Sequence, residues 1–157
     1  MKIVLTLCII CRQSQILLGM KKVRWGAGRW NGFGGGVKGR ELIEMAARRE
    51  VLEECGLEIN QMQKVGLIGF EFANDPMSFL EVHIFLSDDF TGEPQETDEM
   101  RPKWFDIKDI PYDEMWTVDK FWLPQILEGK KIRGRVLYSD DKTQKIISKD
   151  LREVNEI

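Results

Sequence analysis

The stretch that most constrains this chain is residues 34–57, GGGVKGRELIEMAARREVLEECGL, in which a glycine run precedes a helical pattern. Ile43, Ala47 and Val51 recur at a spacing of four residues. This spacing predicts an amphipathic helix over residues 40–55 that buries the apolar stripe. Gly56 predicts the end of the helix, because glycine adopts the left-handed backbone conformation at little cost.

Three glutamates of this helix, Glu50, Glu53 and Glu54, are expected on one face. Like charges three and four residues apart repel by a few tenths of a kcal/mol per pair, so helix stability does not explain them. Carboxylates that project together are the ligands a hard divalent cation prefers, and bound Mg²⁺ usually also contacts substrate phosphates. A solvated acidic helix face is the alternative interpretation of the same three residues.

The residues around the acidic face fit a metal and phosphate site. Glycines 34–36 would let the backbone approach a metal ion and a phosphate closely. Glu41 and Glu44 are predicted in the first helical turn, where the helix dipole favours anions. Arg49 follows Glu41 by about two turns, so we expect the two side chains to pair and to brace the junction of loop and helix.

The rest of the chain predicts more strands than helices. The expected elements are a hairpin of residues 2–10 and 15–19, strands at 64–72, 79–86 and 101–105, a helix at 119–128, and a hairpin of 133–138 and 144–148. Residues 73–78 are expected to form the turn between the two middle strands. Successive strands with few helices between them indicate an α+β protein, a mixed sheet with helices packed on it. No repeat or linker interrupts the chain, so we expect one domain over residues 1–157.

Charge and hydropathy exclude several classes of function. A net charge of −3 argues against bulk electrostatic binding of nucleic acid. No apolar run reaches the length of a membrane span, and the apolar start of the chain alternates as a first strand does. Cys8 and Cys11, three apart on that strand, point to opposite faces, so we expect reduced thiols rather than a zinc site. We therefore expect an intracellular protein.

The spacing of the charged stretch matches the sequence signature of Nudix hydrolases without a departure. The matching positions are Gly35, five residues, Glu41, seven residues, Arg49-Glu50-Val51, one residue, Glu53-Glu54, one residue and Gly56-Leu57. Nine matching positions over 23 residues form a specific pattern. A solvated charge run would not be expected to reproduce all of them.

The resemblance extends to almost the whole chain and indicates one branch of this family, the animal MutT homologues that hydrolyse 8-oxo-dGTP. The segments that carry it are LLGMKK (17–22), GAGRWNGFGG (26–35), VHIF (82–85), DEMRPKWF (98–105) and LREV (151–154). It implies the Nudix fold, a mixed β-sheet sandwiched between helices. It also implies hydrolysis of oxidised purine nucleoside triphosphates to the monophosphate and pyrophosphate, with Mg²⁺ as cofactor and Mn²⁺ as the alternative.

The resemblance also implies roles for individual residues. The metal ligands would be Glu50, Glu53, Glu54, Glu99 and a backbone carbonyl at Gly34 or Gly35, with Glu54 as general base and Glu53 as the second candidate. Without the resemblance, Glu99 would be taken for a surface acid. The substrate contacts would be Thr6, Lys21, Asn31, Phe33, Gly35, Gly36, Phe70, Phe72, Leu80, Trp116 and Asp119. Lys21 would face the phosphates, while the aromatic rings, which could also be plain core, would stack on the purine.

Four positions depart from the family pattern. The sequence Trp116-Thr117-Val118-Asp119 has a valine where the family has the first of two adjacent aspartates. Trp25 replaces a phenylalanine, Leu80 a methionine and Gly36 a lysine. Because an adjacent carboxylate pair can share a proton and adapt to different purines, its loss leaves Asp119 less adaptable. We expect retained hydrolysis of 8-oxo-dGTP and weaker action on oxidised adenine nucleotides.

Two other hypotheses stay open at this point. One is a Nudix hydrolase of another modified nucleotide: a methylated purine, a dinucleoside polyphosphate or a cap-like RNA end. The other is a nucleotide-binding protein without turnover, against which the intact glutamate set argues. We expect a monomer that binds a small nucleotide and neither nucleic acid nor membrane stably. Its expected location is the cytoplasm, with nuclear or mitochondrial pools as alternatives.

Overall fold

The structure, a computed structural model, describes residues 1–157 and contains one mixed β-sheet. Its elements in chain order are β1 (Lys2–Arg12), β2 (Gln15–Lys21), β3 (Trp30–Asn31), α1 (Ile43–Cys55), β4 (Glu58–Phe72), β5 (Asp75–Thr91), β6 (Met100–Asp106), α2 (Asp119–Leu127), β7 (Lys131–Tyr138) and β8 (Ile146–Val154). The strand order is β3-β2-β1-β5-β4-β7-β8, and β6 pairs with β2. The pairs β1–β5 and β4–β7 are parallel, while the other pairs are antiparallel. The predicted α+β class is confirmed.

The two helices lie on opposite faces of the sheet, as predicted. On β1, Cys8 belongs to the core cluster that contains Val51 of α1, whereas Ile9 belongs to the cluster that contains Trp122 of α2. Successive residues of a strand point to opposite faces, so the two clusters are separated by the sheet. Cys11 packs against the α2 cluster, so the two thiols of the N-terminal strand face opposite ways. All three cysteines are free.

The central ribbon of β4 and β5 is longer than the sequence predicted. The strands expected at 64–72 and 79–86 extend to Glu58–Phe72 and Asp75–Thr91, and only residues 73 and 74 form the turn. Four register shifts interrupt the pairing of the two strands. Such bulges bend a long ribbon and break its alternation of apolar and polar residues, which is why hydropathy underestimated its length.

Helix α1 begins later than predicted, and this changes the position of one acidic residue. The helix starts at Ile43 rather than at residue 40, so Glu41 precedes it instead of standing in its first turn. Its end is as expected: Gly56 has a φ of 76° and its N–H donates to the Leu52 carbonyl. Neither α1 nor α2 has the length and apolar character that a bilayer crossing demands.

Replacement of Gly56 by alanine tests the helix end. We expect Gly56→Ala to lower the free energy of unfolding by about 1–2 kcal/mol, because a side chain disfavours the left-handed conformation. Gly36→Ala is the control, since a Cβ there meets nothing within 4 Å. Urea denaturation of the two variants measures the difference. Equal losses in both would contradict the role given to Gly56.

Candidate active site

A buried hydrogen bond connects α1 to the loop of glycines 34–36 beside it, called the glycine loop below. The Gly34 N–H donates to Glu54 Oε1 at 2.8 Å, and the Glu54 residue is only 2% exposed. The pKa of Glu54 is raised to about 8, chiefly by burial and in smaller part by Glu50 and Glu99, while Gly34 and Lys21 act in the opposite direction. Three carboxyl groups therefore lie within electrostatic reach of one another, with one lysine facing them.

The glycine loop approaches its neighbours so closely that side chains would not fit. A Cβ on Gly34 would lie 1.8 Å from the Thr6 carbonyl oxygen, and a Cβ on Gly35 would lie 2.6 Å from the Glu50 carboxyl group. The loop is fixed to β1, since the Thr6 N–H donates to the Gly35 carbonyl at 2.9 Å. Glycine at position 34 therefore lets the loop lie against β1, and glycine at position 35 lets it lie against the Glu50 carboxylate of α1.

Arg49 organises the exposed side of the acidic face. Its guanidinium donates to both carboxylate oxygens of Glu41 at 2.7 and 3.0 Å, which confirms the expected pair. It also donates to Glu50 at 3.0 Å, to Glu53 at 3.2 Å and to the Gly36 carbonyl at 3.0 Å. The Arg49 guanidinium lowers the pKa of Glu41 to about 2. One cation thus offsets the repulsion among several carboxylates.

The predicted metal ligands are near one another but do not form a finished coordination site. No three acidic, histidine or cysteine side chains are arranged to hold a metal ion. Glu50 and Glu53 accept hydrogen bonds from Arg49, and Glu99 lies 3.5 Å from Arg24. The donor set nevertheless fits a hard divalent cation, because it offers carboxylate oxygens around a buried acid whose ionisation such a cation would favour.

A cavity of about 280 Å³ lies between the glycine loop and α2. Nine of the eleven predicted substrate contacts line it: Thr6, Lys21, Asn31, Gly35, Phe70, Phe72, Leu80, Trp116 and Asp119. Glu54 of α1 and Gly34 line it as well. The cavity therefore joins the buried acid of one helix to the aspartate of the other.

Two predicted substrate contacts lie outside this cavity, contrary to expectation. Phe33 is fully buried in the core under α1. Its ring lies against Gly19, and its backbone forms hydrogen bonds with the backbone of Cys8. Gly36 stands apart from the cavity, and its carbonyl accepts from Arg49 instead. Consecutive residues of an extended segment point to opposite sides, so Phe33 turns away while its neighbours face the cavity.

Aromatic rings form one wall of the cavity. The ring centroids of Trp25 and Trp116 are 4.6 Å apart, and those of Trp25 and Phe72 are 5.9 Å apart. The Arg29 guanidinium lies 5.7 Å from the Trp116 ring centroid. Flat apolar surfaces with a nearby cation suit a planar heteroaromatic ligand.

Asp119 is the buried acid beside this wall. Asp119 is 4% exposed, and its Oδ1 accepts a hydrogen bond from the Trp122 indole N–H at 3.1 Å. Its second oxygen, Oδ2, has no partner. Burial raises the pKa of Asp119 to about 7, so the carboxyl exchanges its proton near neutrality. Val118, by contrast, is fully buried in the core and does not line the cavity.

Sequence reasoning missed Trp122 and the loop between β7 and β8. Trp122 lines the cavity three residues after Asp119, a spacing that places both on one face of α2 and could have indicated it. In the loop, Gln144 accepts from the Thr117 N–H at 3.1 Å, and Asp141 accepts from the Trp25 indole N–H at 3.1 Å. The loop thus supports both aromatic segments of the wall, and its polar sequence gave no signal of that role.

Comparisons with known proteins agree with this geometry. The model of the NUDIX domain matches residues 1–126. The chain is 47% identical over 150 residues to the mouse oxidized purine nucleoside triphosphate hydrolase, with 96% of this chain and 94% of the mouse protein covered. It is 51% identical over 130 residues to the zebrafish protein of the same name, covering 83% of each.

The fold has a close match among solved structures. A MutT protein from Bacillus halodurans superimposes with a TM-score of 0.84, covering 95% of this chain and 97% of that one. At 22% identity this match establishes the fold alone. It does confirm the predicted Nudix fold, with a mixed sheet between two helices. Together with the domain match over most of its length, these findings place the chain in the Nudix hydrolase family.

Proposed function

We propose that this protein hydrolyses oxidised purine nucleoside triphosphates such as 8-oxo-dGTP to the monophosphate and pyrophosphate. The observation that carries the proposal is the single cavity shared by the buried Glu54 and the aromatic wall with Asp119. One part of such a cavity suits a metal-bound triphosphate and the other suits a planar base. The mouse and zebrafish relatives support the same substrate class. The cellular role would be to remove damaged nucleotides from the precursor pool.

Nudix hydrolases generally use a divalent metal ion, and we propose Mg²⁺ here, with Mn²⁺ as the alternative. The ligands would be Glu50, Glu53, Glu54 and Glu99 with the backbone carbonyl at Gly34. Such an ion, when bound, neutralises the triphosphate and polarises an oxygen of it. Glu50 and Glu53 would exchange contacts with Arg49 for contacts with the ion.

Glu54 is our candidate for the general base, with Glu53 as the second candidate. Burial raises the pKa of Glu54 to about 8 without a metal ion, and a bound cation would favour the ionised form that a base needs. The Gly34 N–H fixes one carboxylate oxygen, which leaves the other to accept a proton from water. Lys21, which lines the same cavity, would hold the phosphates by charge.

We also propose the domain organisation, the class of ligand, the oligomeric state and the location of the protein. We propose one domain over residues 1–157, supported by the pairing of β7 with β4, which joins the C-terminal hairpin to the central sheet. A net charge of −3 supports a small nucleotide as partner rather than a nucleic acid. We further propose a monomer located in the cytoplasm, with nuclear or mitochondrial pools as alternatives.

Hydrolysis of 8-oxo-dGTP by the purified protein with Mg²⁺ tests the proposed function. We expect 8-oxo-dGMP and pyrophosphate as products, and chelation of the metal should stop the reaction. Glu54→Gln should lower kcat at least 100-fold, because it removes both a ligand and the base. Cleavage of a methylated purine nucleotide, a dinucleoside polyphosphate or capped RNA in preference to 8-oxo-dGTP would refute the substrate. Binding without turnover would refute the enzyme.

The loss of the first aspartate of the pair predicts narrow selectivity. We expect kcat/KM for 8-oxo-dGTP to exceed that for 2-hydroxy-dATP by at least tenfold, because Asp119 has no adjacent carboxyl with which to share a proton. Val118→Asp should reduce this ratio, provided that circular dichroism shows the variant to be folded. Equal, high values for both substrates in the unchanged protein would show that Val118 does not narrow its range.

The burial of Glu54 predicts that Glu54→Gln, which should abolish activity, increases the free energy of unfolding. The Glu54 carboxyl titrates near 4.5 in the unfolded chain and near 8 in the folded one. The unfolded state therefore releases a proton that the folded state retains, so stability falls as the pH rises from 4.5 to 8. In metal-free buffer at pH 8, Glu54→Gln should raise the free energy of unfolding by about 2–4 kcal/mol.

The matched control for this stability measurement is Glu58→Gln, which changes an exposed glutamate at the start of β4. It should change the free energy of unfolding by less than about 0.5 kcal/mol. Urea denaturation between pH 5 and pH 8 gives both values. A Glu54→Gln variant that is less stable than the unchanged protein at pH 8 would contradict the claim that burial makes ionisation of Glu54 unfavourable.

A further inference from the structure

Tyr138, the last residue of β7, is a buried phenol whose hydroxyl has no hydrogen-bond partner. It is 0% exposed, and its ring lies against the rings of Phe70, Phe72 and Trp116 at centroid distances of 6.1, 5.7 and 5.7 Å. All three of those rings line the cavity, so Tyr138 supports the aromatic wall from behind. A phenylalanine would give the same packing without an unpaired hydroxyl, whose burial is unfavourable.

A second unpartnered polar atom lies beside the same wall. Asp119 Oδ2 has no partner, although the carboxyl group is buried and lines the cavity. The charge of Asp119 acts directly on the Tyr138 hydroxyl, whose pKa it raises together with burial. Only one other buried side-chain atom lacks a partner, His83 Nδ1 on β5, which lies outside the cavity. Two of the three unsatisfied groups thus belong to one neighbourhood.

We propose that Tyr138 is a specificity-determining positioning residue, whose hydroxyl donates to the Asp119 carboxylate when a purine occupies the cavity. The hydroxyl–carboxylate pair would replace the carboxylate pair that Val118 interrupts. This inference rests on the proposed function. It names the preferred substrate class more narrowly: purines that present two N–H donors on one edge, as oxidised guanine does.

The chemistry of the pair explains this preference. An ionised Asp119 accepts hydrogen bonds from the N1–H and N2–H₂ groups of a guanine edge. A donor on the other side of the carboxylate, the Tyr138 hydroxyl, stabilises the ionised form. The adenine edge of 8-oxo-dATP presents the N1 acceptor beside the N6–H₂ donor, and that acceptor needs a protonated acid, which the same hydroxyl disfavours. Tyr138 therefore favours guanine-type over adenine-type substrates without touching either.

Groups from several segments face this pair. Asp119 also acts on Tyr112, which lies in the segment between β6 and α2, and Arg29 from the β2–β3 loop acts on Tyr138. The Thr117 side chain and the Val118 backbone also lie near the Tyr138 hydroxyl and lower its pKa, although neither has the geometry of a hydrogen bond to it.

These neighbours leave the hydroxyl free to find another acceptor. The Trp122 indole supplies a fixed donor to the Asp119 carboxyl. Tyr112 offers a matched control, because it is a second phenol near the same carboxyl that can lose its hydroxyl in the same way.

The experiment measures kcat/KM for 8-oxo-dGTP and 8-oxo-dATP between pH 5.5 and 8.5 in the unchanged protein, Tyr138→Phe and Tyr112→Phe. Because Glu54 acts on both substrates in the same way, its titration cancels in the ratio of the two kcat/KM values. The pH dependence of that ratio therefore measures the ionisation of Asp119. It should rise with pH as Asp119 ionises. Tyr138→Phe should lower the ratio about tenfold at pH 7, mainly through KM for 8-oxo-dGTP, and move its midpoint up by about one pH unit.

The outcomes separate this inference from the proposed function. If the unchanged protein hydrolyses neither nucleotide, the proposed function is wrong. If it hydrolyses 8-oxo-dGTP while Tyr138→Phe keeps the same ratio and the same midpoint, only the role of Tyr138 is wrong. Equal changes in Tyr138→Phe and Tyr112→Phe would also overturn the role, since they would show a general effect of lost phenols. A shift confined to Tyr138→Phe supports it.

Discussion

The hydrogen bond from the Gly34 N–H to Glu54 is the interaction on which the site depends. It is buried, it is charge-assisted when the acid is ionised, and it exists only because glycines let the loop lie against both β1 and α1. The core beneath α1 fixes the helix, and the pairing of the loop with β1 fixes the donor. The position of the acid is therefore determined by the sheet rather than by the helix alone.

This arrangement disfavours the ionised form of Glu54, which a bound cation would stabilise. Burial opposes ionisation of Glu54, and two neighbouring carboxyl groups oppose it further. On the other helix, Asp119 is buried with one oxygen unsatisfied. The cavity thus has two acids that are costly without a ligand, one suited to a metal ion and one suited to a donor edge. Residues of this kind reduce stability and are typical of functional sites.

The helix and its acids could be predicted from spacing because one face of a helix is a local property. Gly56 marked the end of the helix, whereas its start was expected three residues too early. The expected Arg49–Glu41 pair is present although Glu41 precedes the helix. Phe33 could not be placed in this way, because the side of an extended loop residue depends on how the loop pairs with β1. The support that Gln144 gives to the loop at Thr117 depends on a contact across 27 residues.

The length of the β4–β5 ribbon was missed for a related reason. Bulges break the alternation that identifies a strand, so only the most apolar part of each strand was visible in the sequence. The polar parts are strands because a neighbouring strand pairs with them, which composition does not encode. The roles of Val118 and Tyr138 could not be read from the sequence, since one is a core residue and the other a buried phenol beside the remaining aspartate.

A crystal of the protein soaked with Mn²⁺, examined by anomalous scattering, tests the central claim most directly. The ion should lie beside Glu54, with oxygens of Glu50 and of the glycine loop among its ligands and with Arg49 moved away from Glu50. Manganese bound elsewhere, or no manganese at a concentration that supports catalysis by related enzymes, would contradict the claim that these carboxylates are arranged for a divalent cation.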